Sequence, residues 1–259
     1  MIKTKFEFIL LLLLITLRAS GQDKKINNTT QLWSEIDVMG CINEKLKWQC
    51  DFQYSFQSPY ENLSFLEYQE QYTIRPWLHY YPSKSIKLSA FIGLWYNYPI
   101  EGNVNARKYP EYRTALQAQF YKKFGLNTIS NRFRTEFRDI KDRSNEFENV
   151  FRGRYMLKYL RLLSHKTYDK YSIYCILSEE AFMNGGSKVT GYKLFDQNRV
   201  FLGLGYNITD DISFETGYYN QFSYHAHDTN FDSNHIWQVT LIFDNLTKEH
   251  KEHKKQSKS

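Results

Sequence analysis

The sequence predicts an all-β chain folded as an antiparallel up-and-down transmembrane β-barrel of about twelve strands, with ten the next count. Three observations carry that prediction. Residues alternate apolar and polar with period two over long stretches. The stretches run ten to fourteen residues and are joined by alternately short and long connections. Aromatic residues make up 17% of the chain, with 21 Tyr and 19 Phe, while the mean hydropathy is only −0.61. Aromatic and β-branched side chains suit a pleated, half-buried surface. A helical membrane protein cannot be this polar, because each span needs about 20 mostly apolar residues, whereas only every second residue of a barrel strand meets lipid.

Residues 1–21 read as a cleaved signal peptide. Lys3 and Lys5 form a basic start, Phe6 to Leu17 is an apolar run too short for a comfortable span, and Ala19-Ser20-Gly21 supplies small residues before a cut at Gln22. Residues 22–30 are an N-terminal segment, 31–243 the barrel, and 244–259 a polar, basic tail without an apolar face. The tail carries much of the net charge of +6. Export, rather than the charge, argues against nucleic acid as a partner, and none is expected. Cys41, Cys50 and Cys175 are an odd, scattered set with neither disulfide-framework nor metal spacing; Cys50 and Cys175 read as small apolar residues on lipid-facing positions.

The clearest strand covers residues 46–57. Leu46, Trp48, Cys50, Phe52, Tyr54 and Phe56 fall on one face, and Lys47, Gln49, Asp51, Gln53, Ser55 and Gln57 on the other. The same sorting recurs around 86–96, 129–138, 151–159, 199–208, 212–222 and 235–243. Strands near 32–40, 67–80, 111–122 and 171–180 fit less cleanly. These lengths match the ~9–11 residues of a tilted membrane strand rather than the five or six of a globular one. Short turns near 43–45, 82–84, 123–125 and 209–211 alternate with longer polar loops near 58–66, 98–110, 140–148, 181–193 and 224–233, and the connection near 164–169 is intermediate. The count is eleven, which conflicts with the even number expected of bacterial barrels. A further rising strand within residues 22–31 restores parity, hence twelve. Pro76 marks a bulge or an unpaired site, because proline cannot donate to the ladder, and Gly203 and Gly205 mark close backbone approach or curvature.

The water-facing side is rich in opposed charges. Arg75, Arg113, Arg132, Arg134, Glu136, Arg138, Arg152, Arg154, Arg199 and Glu215 are the candidate lumen-lining residues, with Asp51 beside them. One reading is a lining that selects anions, as rings of Arg or Lys do in pores. The other, preferred because buried charges are normally paired, is an Arg–carboxylate lattice filling a narrow interior. No catalytic residues and no cofactor emerge. A barrel-wall lipid hydrolase needs Ser and His on one face, and no His-x-Ser occurs. His225, His227 and Asp228 are weak metal candidates in a loop. The function expected is a narrow channel or a structural surface barrel in the outer membrane, monomeric, in contact with lipid and lipopolysaccharide. A lipid- or lipopolysaccharide-modifying hydrolase is the alternative. The last strand, His235 to Phe243, ends in Phe like the signal read by barrel-assembly machinery.

One resemblance adds to this. Leu32-Trp33-Ser34-Glu35 with Lys45-Leu46-Lys47-Trp48, then Tyr72-Thr73-Ile74-Arg75-Pro76-Trp77, Asn131-Arg132-Phe133-Arg134-Thr135-Glu136-Phe137-Arg138 and Asp196-Gln197-Asn198-Arg199-Val200, resemble a Bacteroidetes family of outer-membrane barrels of unknown function, DUF2490. The resemblance implies the fold and a location in a Gram-negative outer membrane. It implies no activity and carries over no site residues.

Overall fold

The computed structural model describes residues 25–62, 64, 66–98, 109–141, 146–164, 168–224 and 230–246. The leader, most of the tail and the His225, His227 and Asp228 group lie outside the described residues. Among the described residues eleven strands follow one another without a helix: β1 (Ile26–Cys41), β2 (Leu46–Gln57), β3 (Tyr68–Ser83), β4 (Ile86–Asn97), β5 (Tyr109–Phe124), β6 (Asn127–Lys141), β7 (Phe147–Leu162), β8 (Ile173–Asn184), β9 (Phe195–Asn207), β10 (Ile212–Tyr224) and β11 (Phe231–Phe243). Each pairs antiparallel with the next, and β1 closes the barrel by pairing parallel with β11 from Ile26↔Phe231 to Val38↔Phe243.

That closure corrects two expectations. The barrel has eleven strands among the described residues, not twelve, and its sheet is mixed rather than wholly antiparallel. In a meander every strand reverses direction, so the first and last of an odd set run the same way and can meet only in parallel. Residues 26–31 do not form an extra strand; they lengthen β1. They escaped the alternation test because both faces are polar there. Asn27, Thr29 and Gln31 continue the inward face of Trp33 and Glu35, while Asn28 and Thr30 point outward. The loop after β2 holds this stretch: Ser58 N–H donates to Thr30 O at 2.8 Å, and the Asn28 N–H donates to Glu61 Oε1 at 2.9 Å. That N–H holds the Glu61 carboxyl below the ordinary carboxylate range.

The sidedness is the reverse of a soluble core. Buried polar side chains outnumber buried hydrophobic ones about two to one among the described residues, and they include Asp51, Glu111, Glu136 and Arg152. The large apolar side chains point outward at mid-strand, with Leu116 64% and Leu202 63% exposed. The four-residue connection at 42–45, with those at 84–85, 125–126, 163–172 and 208–211, defines a turn end; the longer connections define a loop end. Eleven strands spaced ~4.8 Å apart and tilted ~40° close a cylinder about 22 Å across between backbones.

Inward aromatic side chains narrow it. Trp77, Phe91, Trp95 and Ala115 pack together on β3 to β5. Leu162, Tyr174, Ile176 and Phe201 pack near the turn end on β7 to β9, with Tyr219 against them. Glycines make room for these rings. A Cβ on Gly205 would sit inside the Tyr174 ring, and one on Gly203 or Gly217 would meet the Phe201 ring at 2.5 Å. Pro76 behaves as its chemistry requires. It pairs with Cys50 of β2, but the β3–β4 ladder breaks between Ile74↔Leu94 and Trp77↔Phe91.

Candidate functional site

A cavity of about 610 Å³ occupies the barrel interior. Strand alternation aims the charged side chains into it, and the order of the strands divides them by sign. From β4 to β9 the lining cations are Lys87, Arg113, Arg132, Arg134, Arg138, Arg152, Arg154, Lys158 and Arg199, against the carboxylates Glu111 and Glu180. Glu136 and Asp196 stand within the same wall, bonded to its arginines. From β10 through β11 and β1 to β3, the lining carboxylates are Glu35, Asp37, Asp51, Glu70 and Glu215, against the single arginine Arg75. One wall is therefore cationic in excess and the other anionic in excess. In the closed order, β1 stands diametrically across from the β6–β7 pair, so Glu35 and Asp37 face the densest run of arginines.

Within the cationic wall a lattice forms. Glu136 is fully buried. Its Oε2 accepts from Arg152 Nε at 2.8 Å and Nη2 at 2.6 Å, and its Oε1 from Arg154 Nη1 at 2.6 Å. Glu180 accepts from Arg154 Nε at 2.8 Å and Nη2 at 2.9 Å and from Arg132 Nη2 at 2.5 Å. Glu111 takes both Arg113 and Arg138, the latter with Nε at 2.5 Å and Nη2 at 3.1 Å. Aromatic faces carry part of the remaining positive charge. Arg113 lies 3.9 Å over Trp95, and Arg154 lies 4.2 Å over Phe182. On the other wall Arg75 bridges Glu35 and Asp51. Charge-assisted pairs of this kind persist in an interior only when nearly every donor is met.

Some charges are not met by an opposite charge. Lys87, Lys158 and Arg199 make no ion pair among the described residues. Arg199 donates to Gln221 Oε1 at 2.5 Å and stacks 5.0 Å over Trp33. Asp37, Glu70 and Glu215 likewise make no ion pair among the described residues, although Arg75 acts on Asp37 and Arg199 on Glu70 at longer range. Glu70 accepts the Trp33 Nε1–H at 2.8 Å, and Glu215 accepts the Tyr174 hydroxyl at 2.8 Å. Asp37 Oδ1 is buried with no hydrogen-bond partner. Glu35, Asp37 and Asp51 bring carboxylate oxygens within 4.8 Å of one another.

All ten residues singled out from the sequence gather around this interior, Glu136 within the wall and the rest on the cavity surface. The reading missed their carboxylate partners Glu111 and Glu180, the lysines, and Glu35, Asp37 and Glu70. The missed Glu111 shares strand parity with Arg113 on β5, and Glu180 lies on the face of β8 opposite to that of Cys175. Glu70 had no such signal, because the ladder shifts register between Ser55 and Phe56 opposite it.

A second constellation was invisible in the sequence. Gln49 Nε2 donates to Asp51 Oδ1 at 2.5 Å, which turns Gln49 Oε1 toward His79 Nε2 at 2.8 Å; His79 Nδ1 then lies 2.8 Å from Ser89 Oγ. The chain has one consistent polarity: Gln49 accepts from His79 Nε2–H, and the bare Nδ1 accepts from the Ser89 hydroxyl. Chemically this is a base oriented toward a hydroxyl. Ser89, however, is 6% exposed and does not line the cavity, so the order serves to satisfy buried groups.

No curated protein and no solved structure matches the chain. A family model described as "Protein of unknown function (DUF2490)" matches residues 30–232, from within the polar stretch of β1 to the start of β11. The match spans most of the chain and the cavity-lining residues of β1 to β10, and the chain belongs to that family.

Proposed function

We propose that this chain is a monomeric outer-membrane barrel of a Gram-negative bacterium, exported by its leader, and that it offers small ionic solutes a narrow, charge-lined passage. The observation that supports this best is the inverted sidedness. Leu116, Ile92 and Leu202 are exposed at mid-strand, where water would penalise them and lipid would not, while the charges surround an interior cavity. The Arg–carboxylate lattice and the aromatic layers make the passage far narrower than that of a sixteen-strand porin. The cationic excess from β4 to β9 favours anions at that wall.

The test is conductance in planar bilayers with purified, refolded protein. Small, anion-preferring steps are expected, and Arg132→Ala with Arg152→Ala shifts the selectivity toward cations. Absence of conductance in both proteins overturns the passage. Recovery of the native chain from the soluble periplasm, without heat-modifiable migration in gels, overturns the location. The alternative, a membrane-embedded hydrolase, draws only on the Ser89–His79 pair. Labelling of Ser89 by a fluorophosphonate would favour it over the passage.

A further inference from the structure

From the divided interior we infer that the cavity binds small zwitterions, with short peptides as the chemical class, and that it holds them across the barrel rather than along it. The inference rests on the passage reading and names the solute. Among the described residues three lining cations, Lys87, Lys158 and Arg199, form no ion pair, and neither do three lining carboxylates, Asp37, Glu70 and Glu215. Elsewhere in the same interior every glutamate of the cationic wall collects two or more guanidinium bonds. The two sets form no ion pair with one another because they stand on different walls, and Arg199 and Glu70 act on each other only at longer range. β1 lies across the barrel from β7, and Asp37 and Lys158 each sit four residues from the turn end of their strand, so they face one another at comparable depth. Buried charges left this way are costly, so such groups stay neutral until a counter-charge arrives.

A single anion satisfies the wall from β4 to β9 but meets repulsion from Asp37 and Glu35. A single cation meets the reverse. A molecule with a carboxylate at one end and an ammonium at the other satisfies both and adds no net charge. The cavity of about 610 Å³ lies within the range of small-ligand sites. The backbone cylinder of about 22 Å, less the side chains reaching in from each wall, leaves a gap of a few residues' length. Asp37 Oδ1, buried without a hydrogen-bond partner, is the acceptor an ammonium would take.

Calorimetry on the refolded full chain in detergent tests this with triglycine, N-acetyl-triglycine, which lacks the cation, and triglycine amide, which lacks the anion. Triglycine is expected to bind, and each blocked analogue to bind at least about tenfold more weakly, the loss of one charge-assisted contact. Asp37→Asn should erase the preference for triglycine over the acetylated analogue, and Lys158→Gln the preference over the amide. Equal binding of all three, or no binding of any, overturns the assignment without requiring any variant to fold. Conductance measured on the same preparation separates the two claims. Chloride steps without peptide discrimination sink the zwitterion alone, whereas discrimination without conductance keeps the site and removes the passage.

Discussion

Glu136→Gln is the most informative single perturbation of the lattice. The carboxylate is fully buried and accepts two bonds from Arg152 on one oxygen and one from Arg154 on the other. Glutamine is nearly isosteric, so no cavity opens. Its one carbonyl oxygen can keep the Arg152 fork, but its amide then points N–H groups at Arg154 and Arg134. One charge-assisted bond of about 1.5–3 kcal/mol is lost. The larger effect is that guanidiniums whose side chains are only 6% and 9% exposed lose their shared counter-charge. Breaking a buried ion pair from one side costs about 3–5 kcal/mol. At a urea slope of ~2 kcal/mol/M, the unfolding midpoint falls by roughly 1.5–2.5 M. The assay is urea unfolding of the refolded protein, followed by heat-modifiable gel migration and tryptophan fluorescence. Adding Arg152→Met to Glu136→Gln should recover part of the loss, since the guanidinium left with Asp196 as its one carboxylate goes with it. A midpoint shift below about 0.5 M for Glu136→Gln, or additive losses in the double variant, would refute the lattice as a stabilising unit.

Three further outcomes follow from the same geometry. Gly205→Ala places a methyl group inside the Tyr174 ring, and should cost about 1–3 kcal/mol by the same urea assay; a neutral result would mean Tyr174 lies elsewhere. In a background with the three native cysteines replaced by serine, Ser34→Cys with Val239→Cys pairs register partners of the parallel seam. Oxidation should give a monomeric cross-linked species, which a barrel closed by a twelfth strand could not form. The Glu61 carboxyl is held below its ordinary range, so its hold on Asn28 is complete above the unfolded carboxylate range and is lost as pH falls through the lower, folded value. Hydrogen exchange at the Asn28 amide should therefore accelerate, relative to its intrinsic rate, only at strongly acidic pH, and Glu61→Gln should remove that dependence.

The strands from Leu46 to Phe243 were legible because a sheet has a period of two and this chain writes opposite chemistry on its two faces; Trp48 and Phe52 against Gln49 and Asp51 need no partner to be sorted. The same rule put the arginines of β6 and β7 in the interior. It failed where both faces are polar, at Asn27 to Gln31, and there the parity argument supplied a twelfth strand that the barrel does not contain. Closure is a property of the whole ring. An odd meander must meet itself in parallel, and no local pattern encodes that. Pairing is likewise beyond a single strand. Glu180 joins Arg132 and Arg154, and His79 joins Ser89, only through the registers of β6 to β8 and of the β3–β4 hairpin. The sequence by itself determined which side chains turn inward wherever alternation along one strand is unbroken, which excludes Glu70 at its bulge. Tertiary structure alone decided which of them meet, and so which charges are left facing one another across the cavity, because that depends on strand order and register around the barrel.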